Sequence, residues 1–332
     1  MRTEVAPVAN LLLTGGTGFF GLSLLRHWLA LEQLGANLPQ VTLLSRDPQR
    51  FITLHPEFAN RAWLCFAAGD MLERSSLPHN QSFSHVLHAA ADSTHGPLLT
   101  PLERYDQIVQ GTRNLLDLAC GCGARRFLLT SSGAVYGAQP AHLPAVDESW
   151  AGRPDPMQAS SAYGMGKLAA EHLCALYAQA YGLQTVVARC FAFVGPDLPL
   201  DVHFAIGNFI RDALWADEIT VHGNGSPVRS YMDQTDLACW LLALLEQGRN
   251  GQAYNVGSPE AISIADLAKL VGKLIAPGKP IQILGQALAD GPRNLYVPNV
   301  SKAMGDLGLV NKVTLANAIA NAAAAHSNKW PP

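Results

Sequence analysis

The sequence predicts an α/β protein with a doubly wound parallel sheet and a smaller C-terminal α+β lobe. Over the first two thirds of the 332 residues, short runs that are apolar throughout alternate with longer segments of helical spacing. Such strands are buried on both faces, and right-handed crossovers place the intervening helices on either side of a parallel sheet. After about Phe191, proline and glycine become frequent and the alternation weakens, which indicates the separate lobe. We expect the first part to have the Rossmann-type arrangement.

Each element follows from its own pattern. The strands are expected at 10–14, 41–45, 63–70, 85–91, 126–132 and 184–191. Apolar residues at three- and four-residue spacing predict helices over 19–34, about 101–120 and 163–181. Ser263 is a candidate N-cap for a helix over 263–274, and the alanine-rich segment near the C terminus predicts a surface helix.

Composition and charge exclude several classes of function. The net charge is −3 and no run of Lys and Arg occurs, so nucleic acid and anionic membrane surfaces are not expected partners. The six cysteines are scattered, mostly among apolar neighbours, which fits reduced thiols, and Cys120 and Cys122 lack a second ligand pair for a metal. The apolar N-terminal stretch lacks the basic start and cleavage site of a signal peptide, so a cytoplasmic location is expected.

The segment TGGTGFFG at 14–21 joins the first strand to the first helix. Gly15 allows a tight turn, Gly18 lets the backbone approach a pyrophosphate, and Gly21 permits close packing of helix on sheet. The helix N-terminus adds N–H groups and partial positive charge for the phosphates. A turn without a ligand has the same spacing, but its position at the start of an α/β domain favours dinucleotide binding. The other residues expected to contact the dinucleotide here are Thr17, Phe19 and Phe20.

The end of the second strand bears on the choice between NAD and NADP. An acidic residue there would bind the ribose hydroxyls of NAD, whereas this chain has Ser45 and Arg46, which suit a 2′-phosphate. Because Asp47 follows directly, NAD remains open and NADP is slightly favoured. Asp70 and Met71, after the third strand, are expected near the adenine. The small residues expected beside the flat cofactor after the fourth strand are Ala89, Ala90 and Ala91.

Tyr163 and Lys167 are spaced i, i+4, so they lie on one face of a helix. A free tyrosine has a pKa of about 10, and a nearby ammonium favours its phenolate. Such a group can take an alcohol proton while hydride leaves the same carbon, and can return it. Ser132, at the carboxyl end of the fifth strand, is placed to bind the same oxygen. Three histidines are candidates for a second acid or base, although a lone histidine is more often structural: His88, His95 and His203.

Together these motifs resemble the extended short-chain dehydrogenase/reductase family, in its nucleotide-sugar epimerase/dehydratase branch. The resemblance covers nearly the whole chain and rests on TGGTGFFG, on LLTSSGAVYG at 128–137, on YGMGK at 163–167 and on later segments. It implies that Ser132, Tyr163 and Lys167 are catalytic, that Tyr163 and Lys167 also contact the cofactor, and that Ser131 and Gly133 contact the substrate.

The resemblance also implies a place for the diphosphate of a nucleotide sugar. Arg229 and Arg293 lie in segments similar to those whose arginines bind it in the family, and Asp236 is expected to brace the local structure. On this basis, residues 1–191 with 233–257 form a dinucleotide-binding domain, and residues 192–232 and 258–332 form the sugar-nucleotide lobe. A homodimer is implied, in which the helices at 101–120 and 163–181 form a four-helix bundle through Leu168, Ala169, Leu173 and Leu176.

The expected reaction is 4-epimerisation or 4-ketoreduction of a nucleotide sugar, for surface polysaccharides. Family 4,6-dehydratases usually carry an Asp–Glu pair after the catalytic hydroxyl residue, where this chain has Gly133 and Ala134, so elimination is disfavoured. Ile108 and Ala192 stand where the family often has asparagine, which implies rearranged substrate contacts. The alternatives are a nucleotide-sugar 4,6-dehydratase, a reductase of a non-nucleotide carbonyl compound, and a dinucleotide sensor without chemistry.

Overall fold

The computed structural model describes residues 8–90, 99–285 and 294–327. The strands are β1 (Asn10–Thr14), β2 (Gln40–Ser45), β3 (Leu64–Ala68), β4 (His85–His88), β5 (Arg126–Ser132), β6 (Gln184–Cys190), β7 (Phe193–Val194), β8 (Ile219–Val221), β9 (Val228–Arg229), β10 (Met232–Asp233), β11 (Gln252–Val256), β12 (Ile262–Ser263), β13 (Ile281–Ile283) and β14 (Leu295–Tyr296). The helices are α1 (Phe19–Gln33), α2 (Pro48–Leu54), α3 (Pro101–Gly121), α4 (Ala162–Tyr181), α5 (Ala205–Trp215), α6 (Gln234–Gln247), α7 (Ile264–Ile275), α8 (Ser301–Leu307) and α9 (Leu315–Ser327). In these ranges, no helix combines the length and the apolar character needed to cross a membrane.

Seven strands form one parallel sheet in the order β11-β6-β5-β4-β1-β2-β3. Leu11, Leu12 and Leu13 of β1 are fully buried, as expected of a central strand covered by helices on both faces. The direction of winding reverses between β1 and β4. These two strands pair with each other, and Thr14 of β1 lies opposite His88 of β4. In an open α/β sheet the ligand crevice lies at this switch point, outside the carboxyl ends of the strands.

Local signals determine the ends of the two helices that flank β5 in sequence. α3 begins with a capping box, in which the Thr100 side chain binds the Glu103 N–H and the Glu103 side chain binds the Thr100 N–H. α4 ends at Gly182, which has a φ of 70° and so adopts the left-handed conformation that glycine favours. The helices pack along each other, and α4 also packs on β5. This packing determines where the side chains of α4 lie relative to the sheet.

The chain forms two compact units. Within the described ranges, the first comprises residues up to 135, 153–189 and 238–254, and the second comprises 136–152, 190–237 and 255 onwards. In the second unit β8 pairs with β13, β7 pairs with β10, and β9 lies between β12 and β14. The helices α5, α7 and α9 pack together in the same unit.

The sequence patterns predicted six of the seven strands of the parallel sheet and the helices α1, α3, α4 and α7. The ends of these elements differ by at most three residues from those expected. The patterns missed β11, the helices α2, α5, α6 and α8, and the short strands of the second unit. The α6 sequence, QTDLACWLLALLEQ, is apolar nearly all round, and such a helix lacks the amphipathic period that marks helices on a protein surface.

The surface helix expected near the C terminus is present as α9. One of its faces is exposed, with Ala320 and Ala324 open to solvent. On the other face Ala318, Ile319 and Ala322 are fully buried, because α9 packs against α5 and α7. Small side chains on this face allow the helix axes to approach closely.

Candidate active site

The turn between β1 and α1 is closed by backbone approaches that require glycine. Gly15 has a φ of 72°, and a Cβ on it would lie 2.5 Å from backbone atoms of Ala89 and Ala90. A Cβ on Gly21 would lie 2.1 Å from the Cα atom of Gly16. The glycine turn therefore lies directly against the segment that follows β4, and α1 packs directly on the turn.

Gly18 is the N-cap of α1 and faces open space. A Cβ on Gly18 would have only the Gly15 carbonyl oxygen within 4 Å, at 3.6 Å, and both Gly18 and Thr17 are exposed. Glycine has no side chain with which to cap the helix, so an anion can take that place at the positive end of the helix dipole. Phe19 and Phe20 begin α1, with ring centroids 6.2 Å apart. The turn fits the pyrophosphate of a dinucleotide.

The end of β2 combines a buried serine with an exposed arginine. The Ser45 Oγ accepts the Asp47 N–H at 3.2 Å. The Asp47 carboxylate caps α2 by accepting the Arg50 N–H at 2.9 Å. Arg46 is exposed. Asp47 is exposed as well, but its carboxylate is engaged in capping α2, so the exposed cation directly after β2 is Arg46.

The turn after β3 is held against α3. The Asp70 Oδ1 accepts the Leu72 N–H at 2.9 Å, and the Asn114 amide of α3 donates to the Met71 carbonyl at 2.9 Å. A Cβ on Gly111 would lie 2.9 Å from the Met71 Sδ. Asp70 and Met71 are therefore fixed in a turn at the same carboxyl edge of the sheet as the glycine turn.

Lys167 is buried, and its ammonium is directed at β5. Its Nζ donates to the Thr130 carbonyl at 2.8 Å, and the residue is 3% exposed. Tyr163 is half-buried one helical turn earlier on α4, so the two side chains share a face. A Cβ on Gly164 would lie 2.8 Å from the Ala134 carbonyl oxygen. The start of α4, with Tyr163, therefore lies beside the carboxyl end of β5.

The serines at the end of β5 have different partners. The Ser132 Oγ accepts the Ala134 N–H at 3.1 Å, and the Ser131 Oγ donates to the Glu171 carboxylate of α4 at 2.5 Å. Gly133, which is buried, begins the short helical turn at 133–136. Successive residues of a strand point to opposite faces, which explains why only Ser131 of these two adjacent serines bonds to Glu171, whereas Ser132 bonds to the turn that follows β5.

Glu171 and Arg189 form a largely buried ion pair that sequence reasoning missed. The Arg189 Nη2 lies 2.7 Å from the Glu171 Oε2, and its Nε lies 3.1 Å from Oε1. The side chain of Arg189 is 15% exposed and that of Glu171 is 10% exposed. The pair joins α4 to β6, while Ser131 joins α4 to β5. Glu171 stands four residues after Lys167 on the same face of α4, a spacing that could have indicated its role.

His88 of β4 lies in a buried chain of hydrogen bonds. Its Nδ1 is 2.8 Å from the Thr14 Oγ1, and its Nε2 is 3.1 Å from the Thr112 Oγ1. The Thr130 Oγ1 donates to the His88 carbonyl at 3.1 Å. Burial, and then the Lys167 ammonium, lowers the pKa of His88 to about 3. His88 is therefore neutral at ordinary pH. Of the two roles considered for it, a second acid or base and a structural residue, these contacts favour the structural one.

Arg229, in the second unit, is held in a fixed orientation on β9. Its Nη1 donates to the carbonyl of Val228 at 2.9 Å and to that of Asn294 at 2.8 Å. Its Cζ lies 5.8 Å from the centroid of the Tyr296 ring. Burial lowers the pKa of Arg229, yet an arginine stays protonated in a protein. The result is a fixed cation, which suits the binding of a diphosphate.

The remaining candidates have separate outcomes. Ala91, His95 and Arg293 lie outside the described residues. The His203 ring is centred 4.3 Å from that of Phe204. The bracing role expected for Asp236 is confirmed, because its Oδ2 accepts the N–H groups of Lys312 and Val313 at 2.8 and 2.9 Å.

Comparison with known proteins identifies the family. The model of the NAD dependent epimerase/dehydratase family matches residues 11–257. The chain belongs to this family. UDP-glucuronic acid decarboxylase 6 of Arabidopsis thaliana is 31% identical over 310 residues, which cover 92% of this chain and 85% of that protein. UDP-glucuronic acid decarboxylase 4 of the same plant is 31% identical over 308 residues, and the match covers 93% of this chain but only 66%, just under two thirds, of that longer relative.

Solved structures share the fold of this epimerase/dehydratase family member. The dTDP-glucose 4,6-dehydratase of Streptomyces venezuelae, crystallised with NAD, superposes with a TM-score of 0.82 at 23% identity, over 96% of this chain and 97% of the other. The UDP-glucuronic acid 4-epimerase of Bacillus cereus superposes with a TM-score of 0.79 at 22% identity, over 97% of this chain and 100% of the other. At these identities the likeness shows the fold alone, and it confirms the doubly wound arrangement.

Proposed function

We propose that the protein is an NAD(P)-dependent enzyme that acts at C4 of a nucleotide sugar, as a 4-epimerase or 4-ketoreductase, with Tyr163 as acid and base. The observation that carries the proposal is the buried contact between Lys167 and Thr130, which places an ammonium one helical turn from Tyr163 beside the end of β5. When bound, the nicotinamide cofactor supplies a hydride acceptor and donor.

Each catalytic residue has one task in this proposal. Tyr163 accepts the proton of the C4 hydroxyl as that carbon is oxidised, and returns a proton when the carbonyl is reduced. Lys167 favours the phenolate form of Tyr163. Ser132 hydrogen-bonds the same sugar oxygen and so orients it. Ser131 and Gly133 flank Ser132 along the substrate.

The cofactor would be held along the carboxyl edge of the sheet. The exposed backbone at Gly18 and the start of α1 would bind the pyrophosphate, because an open helix N-terminus attracts anions. Arg46 would bind a 2′-phosphate, which slightly favours NADP over NAD. The other residues proposed to contact the cofactor are Gly15, Thr17, Phe19, Phe20, Gly21, Ser45, Asp70, Met71, Ala89, Ala90, Ala91, Tyr163 and Lys167.

The substrate proposed is a nucleotide sugar whose diphosphate meets Arg229, and Arg293 as its predicted partner. The relatives that match most of this chain are UDP-glucuronic acid decarboxylases, so UDP-sugars, and UDP-glucuronic acid first, are the substrates to test. The same similarity favours a second candidate function, decarboxylation of UDP-glucuronic acid. Epimerisation and decarboxylation both begin with oxidation at C4, because a ketone there also makes loss of the neighbouring carboxylate possible.

The test is to incubate the purified protein with UDP-glucuronic acid, UDP-glucose or UDP-galactose and either oxidised cofactor, and separately with a UDP-4-keto sugar and either reduced cofactor, and to follow products by proton NMR. A 4-epimer supports epimerisation, and a UDP-pentose with released CO₂ supports the second candidate. Reduction of a UDP-4-keto sugar with consumption of reduced cofactor identifies a ketoreductase. Tyr163→Phe should lower the rate by about 10²–10⁴-fold. Cofactor binding without turnover of any nucleotide sugar would support a sensor instead, and unchanged turnover in Tyr163→Phe would refute the assigned mechanism.

A further inference from the structure

A second cation lies against Tyr163, on the helix that packs against α4. The Arg104 Cζ of α3 is 4.8 Å from the centroid of the Tyr163 ring, well within the range of about 6 Å over which a guanidinium is attracted to an aromatic face. A guanidinium is charged at every pH at which the protein is folded. Tyr163 therefore has the Arg104 cation over its ring and the Lys167 ammonium one turn along its own helix.

No acidic side chain of the described chain neutralises Arg104. It forms no ion pair with any described residue, and its Nε is buried without a hydrogen-bond partner among them. The adjacent acid, Glu103, is engaged elsewhere, because its Oε2 accepts the Thr100 N–H at 2.8 Å and the Thr100 hydroxyl at 2.7 Å. The charge of Arg104 is therefore available to act on the ring beneath it.

The groups placed near Tyr163 by the described contacts include a second cation on its own helix. Lys167 lies one turn along α4, and its ammonium is bound to the Thr130 carbonyl. The end of β5, beside which α4 begins, carries the uncharged Ser132, and the imidazole of His88 on β4 is neutral. The cation over the Tyr163 ring and the ammonium on the same face of α4 thus come from two different helices.

We propose that Arg104 is a positioning residue that acts through Tyr163: its guanidinium holds the ring and stabilises the phenolate, so that Tyr163 gives up its proton at lower pH than Lys167 alone would allow. A cation over an aromatic face is bound more strongly when the ring carries negative charge, so the contact favours the ionised form. The inference rests on the proposed role of Tyr163 as acid and base.

The first test needs no substrate. Ionisation of tyrosine is followed by ultraviolet titration at the tyrosinate band. Each protein is titrated with and without the additional substitution Tyr163→Phe, and the difference between the two curves gives the ionisation of Tyr163 alone. Arg104→Met should move that transition upward by about one pH unit, and Arg104→Lys, which keeps the charge without the planar group, should move it less. Arg113→Met, which removes an exposed arginine from the same helix, should leave it in place. Thermal melting of each variant shows that it is folded.

The second test uses turnover of UDP-glucuronic acid, or of whichever nucleotide sugar the protein converts. In a plot of kcat against pH, Arg104→Met should move the acidic limb to higher pH by the same amount as the Tyr163 titration. At alkaline pH, kcat should return to the wild-type value. General damage to the fold would instead lower kcat at every pH. An unshifted titration of Tyr163 in Arg104→Met would overturn the inference, even if the enzyme is active. A shifted titration without turnover of any nucleotide sugar would support the inference and count against the proposed function.

Discussion

The Lys167 Nζ lies 2.8 Å from the Thr130 carbonyl oxygen inside the protein. The acceptor belongs to the main chain of β5, whose seven residues are all buried. An uncompensated charge in such a place would be costly, so the ammonium stays with its acceptor. The position of the ammonium relative to α4 is therefore determined by β5 rather than by the flexible stem of the lysine side chain.

Replacement of Lys167 tests the importance of that cation. Lys167→Met should lower kcat by about 10²–10⁴-fold, because Tyr163 then lacks the ammonium that favours its phenolate. Steady-state rates with the nucleotide sugar that the wild type converts provide the measurement. Lys269→Met is the matched control, since Lys269 is an exposed lysine whose partner is Asp266 on α7; its kcat should stay within twofold of wild type. Equal rates for the two variants would contradict the role of Lys167.

The ion pair between Glu171 and Arg189 should contribute measurably to stability. Glu171→Gln replaces the carboxylate beside the largely buried Arg189 guanidinium with a neutral amide, so we expect the free energy of unfolding to fall by about 2–3 kcal/mol. Urea denaturation followed by circular dichroism measures the change. The exposed pair of Asp266 and Lys269, with side chains 61% and 66% exposed, respectively, offers the control. Asp266→Asn should cost less than about 1 kcal/mol, and a similar loss in both variants would argue against a special role for the buried pair.

His88 should make the protein sensitive to mild acid. Burial lowers its pKa to about 3 in the folded state, from about 6.5 for a free imidazole. Between these two values the unfolded chain therefore binds a proton that the folded chain does not bind. Stability is fully present above pH 6.5 and is lost as the pH falls. From pH 6.5 to 5 this group alone should lower the free energy of unfolding by about 1–2 kcal/mol.

The matched variant for that titration is His88→Asn, which keeps a polar side chain near Thr14 and Thr112 but cannot take up the proton. Urea midpoints at pH 6.5 and pH 5 give the difference for each protein. The variant should be less stable than wild type at pH 6.5 but should lose less on acidification. An equal loss in both proteins would mean that His88 is not the group responsible.

Sequence patterns predicted the fold and part of the site for identifiable physical reasons. Strands buried on both faces and glycines required at a tight turn leave local signals, so β1, the turn at Gly15 and α1 were readily placed. The i, i+4 spacing of Tyr163 and Lys167 is equally local. The spacing of Lys167 and Glu171 places both on one face of α4, but no local pattern predicts that Glu171 contacts Arg189 of β6. Nor does any local pattern predict that Arg104 of α3 contacts Tyr163. The helix α6 was missed because it is apolar on most of its surface.

The family resemblance predicts a homodimer built from α3 and α4, and the structure offers a site at which to test it. Leu176 of α4 is 45% exposed, as expected of a residue that a second copy would cover. Leu176→Glu should convert the dimer to a monomer in analytical ultracentrifugation, because a charge would be buried at the interface. Leu34→Glu, at an 81% exposed leucine just after α1, is the control. A wild type that sediments as a monomer, or a dimer that persists in Leu176→Glu, would contradict the prediction.

Arg46 should determine the preference between the two cofactors. It is the exposed cation at the end of β2, while the neighbouring Asp47 is occupied in capping α2. Charge-assisted hydrogen bonds to a 2′-phosphate contribute about 1.5 kcal/mol or more, so Arg46→Ala should weaken NADP binding by about tenfold and change NAD binding by less than twofold. Isothermal titration with each cofactor measures both, and Arg50→Ala, on the adjacent helix α2, is the control. If NAD binds the wild type more tightly than NADP, or if Arg46→Ala weakens both equally, Arg46 does not read the 2′-phosphate and the small preference for NADP is wrong.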